Sequence, residues 1–423
     1  MQTRLPTFRS HLTLVLSAVL HAFTHAYASM LVPLYLVMVT DLKLGGVRSA
    51  SLIVTLYGAV YCLGSYTAGA LSDRFDRKVL LSIGLLGNAA SIVAIGLCRN
   101  YPMIVMLGIA AGAFGTLFHP AANALAPAHY PKSPAMAIGL LGAGSGVGFF
   151  FGPQYAGWRT HTAAWHWASV AQWQKPCVEL GVMGLIVGVI FLFVGAEAND
   201  SASRHVPDKI NRVQRVRVIQ SALILMFRDF CGAAIFSLAA IYLQRAFHVG
   251  VQRTGLMVGI MVLPSVLFNP LFVYLTSGRR RMGGLSLILF LAAVVAAVTP
   301  LVGGGWVLAI LCVYQTLQMG SFAVGDVAML ERVAPEVRGR VVGLFMVIAG
   351  TFGALGPWVM GAWTDLLGPR GGEPSGYFGP FGLISAFMLL AAVAPPWLAK
   401  LGPVSETMKL VEEISPATMG ATP

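Results

Sequence analysis

The sequence predicts an all-α integral membrane protein with twelve transmembrane helices in two six-helix bundles. Three observations carry this fold class. Of the 423 residues, 57% are hydrophobic and only 10% are charged, whereas a soluble domain carries roughly 25% charged residues. Apolar runs about as long as the ~20 residues that a helix needs to cross a bilayer recur along the chain. These runs are continuous and do not alternate with polar residues, which excludes a transmembrane β-barrel.

The apolar runs place six predicted spans in each half of the chain. The first six cover 11–38, 49–71, 79–98, 103–126, 136–157 and 177–196. The other six cover 219–243, 254–276, 283–302, 305–329, 341–364 and 379–399. Residues 1–196 and 219–400 are therefore predicted to form the two bundles. A basic cytoplasmic linker, 197–218, joins them, and a cytoplasmic tail, 401–423, follows the last span.

Charge placement sets the predicted orientation. The net charge is +12, but the cations fall in short loops between apolar runs, so they orient helices and do not indicate nucleic-acid binding. The termini and the even-numbered loops together carry more than twice as many lysines and arginines as the odd-numbered loops. The positive-inside rule then predicts cytoplasmic termini and a multi-pass protein of the plasma (inner) membrane. The first apolar run is too long for a cleaved signal peptide.

Several chemistries find no support in the sequence. The cysteines lie within or at the edges of apolar runs, without CxxC spacing, so we expect neither disulfides nor a cysteine metal site. No phosphate-binding glycine loop or nucleophile elbow occurs. We therefore expect no enzyme activity, no cofactor and no metal. The expected partners are a small-molecule substrate, protons and the lipid bilayer, and we expect a monomer.

A short polar stretch, residues 69–78, separates the second and third spans. It reads Gly-x-Leu-x-Asp-Arg-x-x-Arg-Lys. Gly69 supplies a small residue where two helices cross. Arg74, Arg77 and Lys78 supply cations where the chain re-enters lipid on the cytoplasmic side. The stretch is therefore predicted to be a tight cytoplasmic turn between two membrane helices.

The fifth span carries glycines at helical spacing. Gly148 and Gly152 lie four residues apart on one face, Gly139 precedes them, and Pro153 is predicted to bend the helix. Small residues on one face let another backbone approach closely. A glycine-rich packing face of any membrane helix is the alternative to a functional motif.

Polar side chains interrupt the first and fourth spans. His21 and His25 lie one turn apart on one helix face, with Tyr35 further along. Two such histidines could bind a metal, but no acidic or cysteine partner accompanies them locally. We favour a role in the substrate or proton pathway, with hydrogen bonding between helices as the alternative. His119, followed by a proline, serves either as a ligand or as a histidine at a helix break.

The seventh and tenth spans contain charges. Arg228 and Asp229 lie in the seventh span, and Asp326 lies in the tenth. A charge facing lipid costs several kcal/mol, so each needs water or a partner. Adjacent residues point about 100° apart on a helix, so Arg228 and Asp229 need not pair. Burial disfavours an ionised carboxylate and a nearby cation favours it, which makes Asp229 the predicted proton-coupling residue and Asp326 its rival.

Residues 69–78 and the fifth span resemble two signatures of the major facilitator superfamily of secondary transporters. The second signature is that of the superfamily's exporters, chiefly antiporters, with Ala156 in place of the usual glycine. The resemblance covers nearly the whole chain, and weak similarity between its halves at an offset of 204 residues agrees with it. It implies transport by alternating access. It also implies that Asp73 holds a cytoplasmic gate closed by accepting hydrogen bonds from the start of the eleventh helix, near Gly339 to Val341.

Two shorter patterns suggest a branch. His21, His25, Tyr27 and Pro33, taken with the Phe-His-Pro around His119, resemble the fosmidomycin-resistance branch of drug exporters. That resemblance implies proton-driven export of a drug or metabolite. The alternatives are proton-coupled uptake of a small, possibly anionic metabolite, and a membrane sensor or histidine-based intramembrane enzyme that does not transport. The glycine motifs argue against the last, because a static receptor does not need them.

Overall fold

The structure, a computed structural model, describes residues 7–72, 74–130, 132–162, 171–197, 210, 212–333 and 337–402. Within these ranges the regular elements are helices, and twelve are long and apolar enough to cross a membrane. Helices α1 to α6 are Phe8–Asp41, Val47–Ser72, Arg77–Leu97, Tyr101–His129, Met136–His161 and Gln172–Val194. Helices α7 to α12 are Arg212–Ala246, Val251–Leu275, Gly278–Leu301, Gly304–Leu330, Arg338–Leu366 and Pro374–Ala399. The predicted fold class is confirmed.

One boundary differs clearly from the prediction. Helix α7 begins at Arg212, earlier than the predicted start at residue 219. Its first turns carry Arg212, Gln214, Arg215 and Arg217, so they are helical but too polar for an apolar run to detect. Most of the predicted linker, and the tail from residue 403 onward, lie outside the described residues.

Four helices are interrupted near proline. Helix α1 contains a 3₁₀ turn at Val32–Leu34, α4 breaks between Gly115 and Phe118, and α8 breaks after Ile260. Helix α11 breaks between Gly353 and Gly356, directly before Pro357. Proline cannot donate a backbone hydrogen bond, which loosens the helix beside it. Broken membrane helices are tolerated where the irregular backbone is buried in protein or lines a cavity.

Packing divides the helices into two bundles that meet along two seams. Helix α1 packs on α5 and α3 on α6 in the first half, while α9 packs on α12 and α7 on α11 in the second. Between the halves, α5 packs on α8 and α2 packs on α11. Gly255 lets α8 approach α5 closely, because a Cβ at this position would overlap the carbonyl oxygen of Pro153. Helix α5 runs without interruption through Pro153.

Candidate functional site

A central cavity of about 320 Å³ lies between the two bundles. Its volume falls in the range of small-molecule pockets. Helices α1, α2 and α5 form one wall, and α7, α10 and α11 form the other. Most of the wall is aromatic or aliphatic. The polar lining residues are Thr24, His25, Ser29, Tyr57, Tyr61, Asp229 and Ser237.

Three histidines of the first bundle form a cluster beside this cavity. The Nε2 atoms of His21 and His25 lie 2.9 Å apart. The His119 ring from α4 lies 4.9 Å from the His21 ring and 5.6 Å from the His25 ring, measured between centroids. His21 is buried, at 6% exposure, whereas His25 lines the cavity. The structure thus brings together the histidines that the sequence placed on two separate helices.

Arg228 and Asp229 form a buried ion pair on the opposite wall. The Arg228 Nη2 atom lies 2.7 Å from Asp229 Oδ1, and Arg228 Nε donates to the same oxygen at 2.9 Å. The guanidinium also lies 4.0 Å from the centre of the Phe322 ring, a favourable cation–π distance. The sequence left open whether these neighbours pair, and in the structure the long arginine side chain reaches back to the carboxylate. Asp229 lines the cavity, and Arg228 is held behind it.

Asp326 of α10 joins this charged group. It interacts electrostatically with both Arg228 and Asp229. No cation is adjacent to Asp326 in the sequence, so this proximity to Arg228 comes only from the packing of α7 against α10. The Asp326 side chain is exposed, whereas Asp229 is only 9% exposed. The two carboxylates near this arginine therefore differ in surface exposure.

The bundles are joined at the end of the molecule where α1 and α7 finish, which we call the closed end. Tyr35 and Ser237 are hydrogen bonded there through their hydroxyl oxygens, at 3.1 Å. Gln244 of α7 donates to the carbonyl oxygen of Pro33 at 2.8 Å. Tyr35 therefore belongs to the contacts that join the bundles at the closed end, and it is not among the residues that line the cavity.

The described residues of the turn at 69–78 make several hydrogen bonds at the start of α3. Asp76 caps that helix by accepting a hydrogen bond from Val79 N–H at 2.9 Å. Glu197 accepts from the backbone N–H of Lys78 at 3.0 Å and of Arg77 at 3.4 Å. Burial raises the pKa of the Glu197 carboxyl, and the hydrogen bond from Lys78 opposes that rise. The chain thus makes the predicted tight turn between α2 and α3.

The glycine of that motif differs from the prediction. A Cβ at Gly69 would meet nothing within 4 Å, so the predicted helix crossing at Gly69 is wrong for this conformation. Arg74 is exposed. Asp73, the predicted gate residue, lies outside the described residues.

The glycines of α5 divide into two groups. A Cβ at Gly148 would overlap the carbonyl oxygen of Ala22, and one at Gly152 would lie 2.7 Å from the Cα of Ala26. Both positions therefore let α5 touch the backbone of α1. Gly139 has open space around it and makes no such contact in this conformation.

Sequence reasoning missed several functional candidates. Tyr57 and Tyr61 line the cavity, but aromatic residues are common in membrane helices and gave no signal. Gln318 donates to the Arg228 carbonyl oxygen at 2.8 Å. It could have been found, because an amide within a span is costly for the same reason as Asp326. Asp365 accepts hydrogen bonds from Val47 N–H and Arg48 N–H of α2. It was missed because it lies at the end of a span, where an acid can be hydrated.

Comparison with known proteins agrees with this architecture. The profile of the Major Facilitator Superfamily matches residues 14–236 and 221–414. Over 127 residues the chain is 30% identical to the tetracenomycin C resistance and export protein of Streptomyces glaucescens, a segment that covers 30% of this chain and 23% of that protein. Over 145 residues it is 31% identical to the multidrug resistance protein MdtG of Dickeya zeae, with 33% and 35% covered.

The fold itself is similar to that of a solved transporter. A bacterial homologue of the human lysosomal transporter Spinster, in an inward-facing and unoccupied conformation, superimposes with a TM-score of 0.76. Sequence identity is 15%, and the match covers 94% of this chain and 99% of that one. The matched segments span less than half of the length of each of the two relatives above. The family match covers both halves of the chain, which therefore belongs to the Major Facilitator Superfamily and is a membrane transporter and not an enzyme.

Proposed function

We propose that this transporter exports a small organic compound in exchange for protons, by alternating access. The observation that carries the proposal is the cavity between the bundles with the carboxylate of Asp229 on its wall. A carboxylate inside a membrane protein is expensive and marks an ion or proton pathway. The ion pair with Arg228 stabilises the ionised carboxylate of Asp229. Binding of a proton to that carboxylate would break the ion pair.

The lining favours an amphipathic or aromatic substrate. Tyr57, Tyr61, Phe149, Phe236 and Phe322 present ring surface to the cavity, and few polar groups interrupt it. Such a wall binds apolar and aromatic compounds, with the polar groups fixing their orientation. The export and multidrug resistance proteins among the relatives support the same class of substrate.

The orientation of the chain in the membrane decides which side the closed end faces. We propose that the termini are cytoplasmic. Helices α1 and α7 then finish on the outer side, and the closed end corresponds to the outer gate of an inward-facing conformation. A substrate then enters from the cytoplasm. We propose that the protein works in this way as a monomer in the inner membrane.

Uptake of an anionic metabolite is the second candidate, since Arg228 could serve as a counter-charge. Arg228 is 1% exposed and already pairs with Asp229, which leaves it poorly placed for a substrate anion. The observation weakens this candidate relative to export.

Transport in inside-out vesicles tests the proposal. Acidifying the vesicle interior reproduces the cellular gradient, because that interior corresponds to the outside of the cell. An exporter then accumulates a compound from a panel of amphipathic aromatic drugs, and a protonophore abolishes the accumulation. A proton-coupled importer instead drives anionic metabolites out of preloaded vesicles. A protein that moves nothing from either panel contradicts both.

A further inference from the structure

The histidine cluster has the composition of a metal site. The possible ligand atoms of His21, His25 and His119 all lie within 4.8 Å of one another. A turn of α1 places His21 and His25 on one face. The break in α4 after Gly115 begins a new helical segment at Phe118, which brings His119 into the group.

The cluster is also oriented as metal-binding histidines are. His21 Nδ1 lies 2.6 Å from the carbonyl oxygen of Leu141 in α5. A carbonyl can only accept, so Nδ1 carries the proton and Nε2 keeps its lone pair. Backbone carbonyls commonly fix metal ligands in this way. The Phe118 ring stacks on His21 at 4.7 Å, and the Phe149 ring lies 4.5 Å from that of His25, so neighbouring rings hold the imidazoles in place.

Hydrogen bonding between helices explains only part of this arrangement. One proton shared between the Nε2 atoms of His21 and His25 satisfies those two atoms. Within the described part of the chain, the His119 ring shows ring contacts but no hydrogen bond of its own. Hydrogen bonding between helices therefore does not explain why the His119 ring lies against the other two imidazoles.

Contrary to the expectation from the sequence, we propose that His21, His25 and His119 bind one divalent transition-metal ion of the zinc class. Imidazole nitrogen suits Zn²⁺, Co²⁺ and Ni²⁺, and three histidines leave one position of a four-coordinate ion for water or another ligand. The ion reaches the cluster through the central cavity, which His25 lines. All three ligands belong to the first bundle, so the ion ties α1 to α4 without joining the two bundles. The site goes beyond proton-coupled export and depends neither on the drug nor on the coupling residue.

Metal binding alone tests the proposal. The full-length chain, made without a histidine tag and held in lipid nanodiscs, is stripped with a chelator and titrated with Co²⁺. We expect a visible absorption band of four-coordinate Co²⁺ that saturates at one ion per chain and is bleached by Zn²⁺. The His119→Gln and His25→Gln variants should bind Co²⁺ at least tenfold more weakly. His161→Gln removes an exposed histidine at the end of α5 and should bind like the wild type.

The outcomes separate cleanly. A wild-type protein that gives no band and no saturable Zn²⁺ heat by calorimetry overturns the proposal without reference to any variant. A His119→Gln protein that remains monodisperse and binds like the wild type overturns it as well. Because no drug or gradient is present, a failure here leaves the proposed export function untouched, and a failure of export leaves this site untouched.

Discussion

The carboxylate of Asp365, at the end of α11, caps the start of α2 by accepting a hydrogen bond from Val47 N–H at 2.8 Å. Its second oxygen accepts from Arg48 N–H at 3.0 Å. The first N–H groups of a helix have no partner within the helix, and the helix dipole favours an anion there. Gly46, with φ +154°, permits this approach, because a Cβ would overlap the carboxylate. One acid of the second bundle thus holds the first bundle at the closed end.

Removing this cap should open the closed end. Charge-assisted hydrogen bonds contribute about 1.5–3 kcal/mol each, so Asp365→Ala should raise the population that is open at this end by about tenfold or more. Cys62 lines the cavity and serves as the reporter. In right-side-out vesicles, an impermeant maleimide should alkylate Cys62 faster in the variant, as followed by peptide mass spectrometry.

The matched control is Asp41→Ala. Asp41 lies at the same end but accepts from Trp173 Nε1 at 2.9 Å within the first bundle. It should leave the alkylation rate unchanged. An equal rise in both variants would show that general loosening, and not the cap between the bundles, controls access.

Asp73 is predicted to play the reciprocal part at the other end. The start of α11 shows no side-chain cap among the described residues, and the sequence places Asp73 at the end of α2. We expect Asp73→Asn to slow transport while substrate affinity stays nearly intact, because the carboxylate stabilises one gate and does not touch the substrate. Turnover and the substrate Kd are the measurements.

Asp76→Asn is the control for this experiment, since Asp76 caps α3 in the same turn and asparagine caps almost as well. It should leave turnover unchanged. A tenfold loss of affinity in Asp73→Asn, with turnover preserved, would make Asp73 a binding residue.

The contact of α5 with α1 depends on glycine. Valine at Gly148 or Gly152 would press into the backbone of Ala22 or Ala26, and overpacking costs about 1–3 kcal/mol. We expect Gly148→Val and Gly152→Val to insert normally but to lose transport or leak protons. Drug-dependent proton flux in proteoliposomes measures both effects.

Gly139→Val is the matched control on the same helix, because its Cβ would meet open space. It should retain transport and coupling. Full activity in all three variants would remove helix α5 from the mechanism.

Hydropathy predicted the helices well because each span must match the thickness of the bilayer, whatever its partners are. It failed at Arg212, where a helix continues into water and its apolar pattern ends. The histidine cluster could be predicted only in part. Helical spacing pairs His21 with His25, but the approach of His119 depends on the break in α4 and on packing between helices. The same holds for Asp326 and Arg228, which meet only because α10 packs against α7.

The central claim is that Asp229 couples protons to transport. In proteoliposomes with an imposed pH gradient, Asp229→Asn should abolish gradient-driven accumulation while substrate binding and downhill exchange persist, because an amide can neither carry the proton nor form the ion pair with Arg228. Asp326→Asn, measured in parallel, should retain gradient-driven transport. Accumulation that survives in Asp229→Asn and disappears in Asp326→Asn would contradict the account and assign coupling to α10.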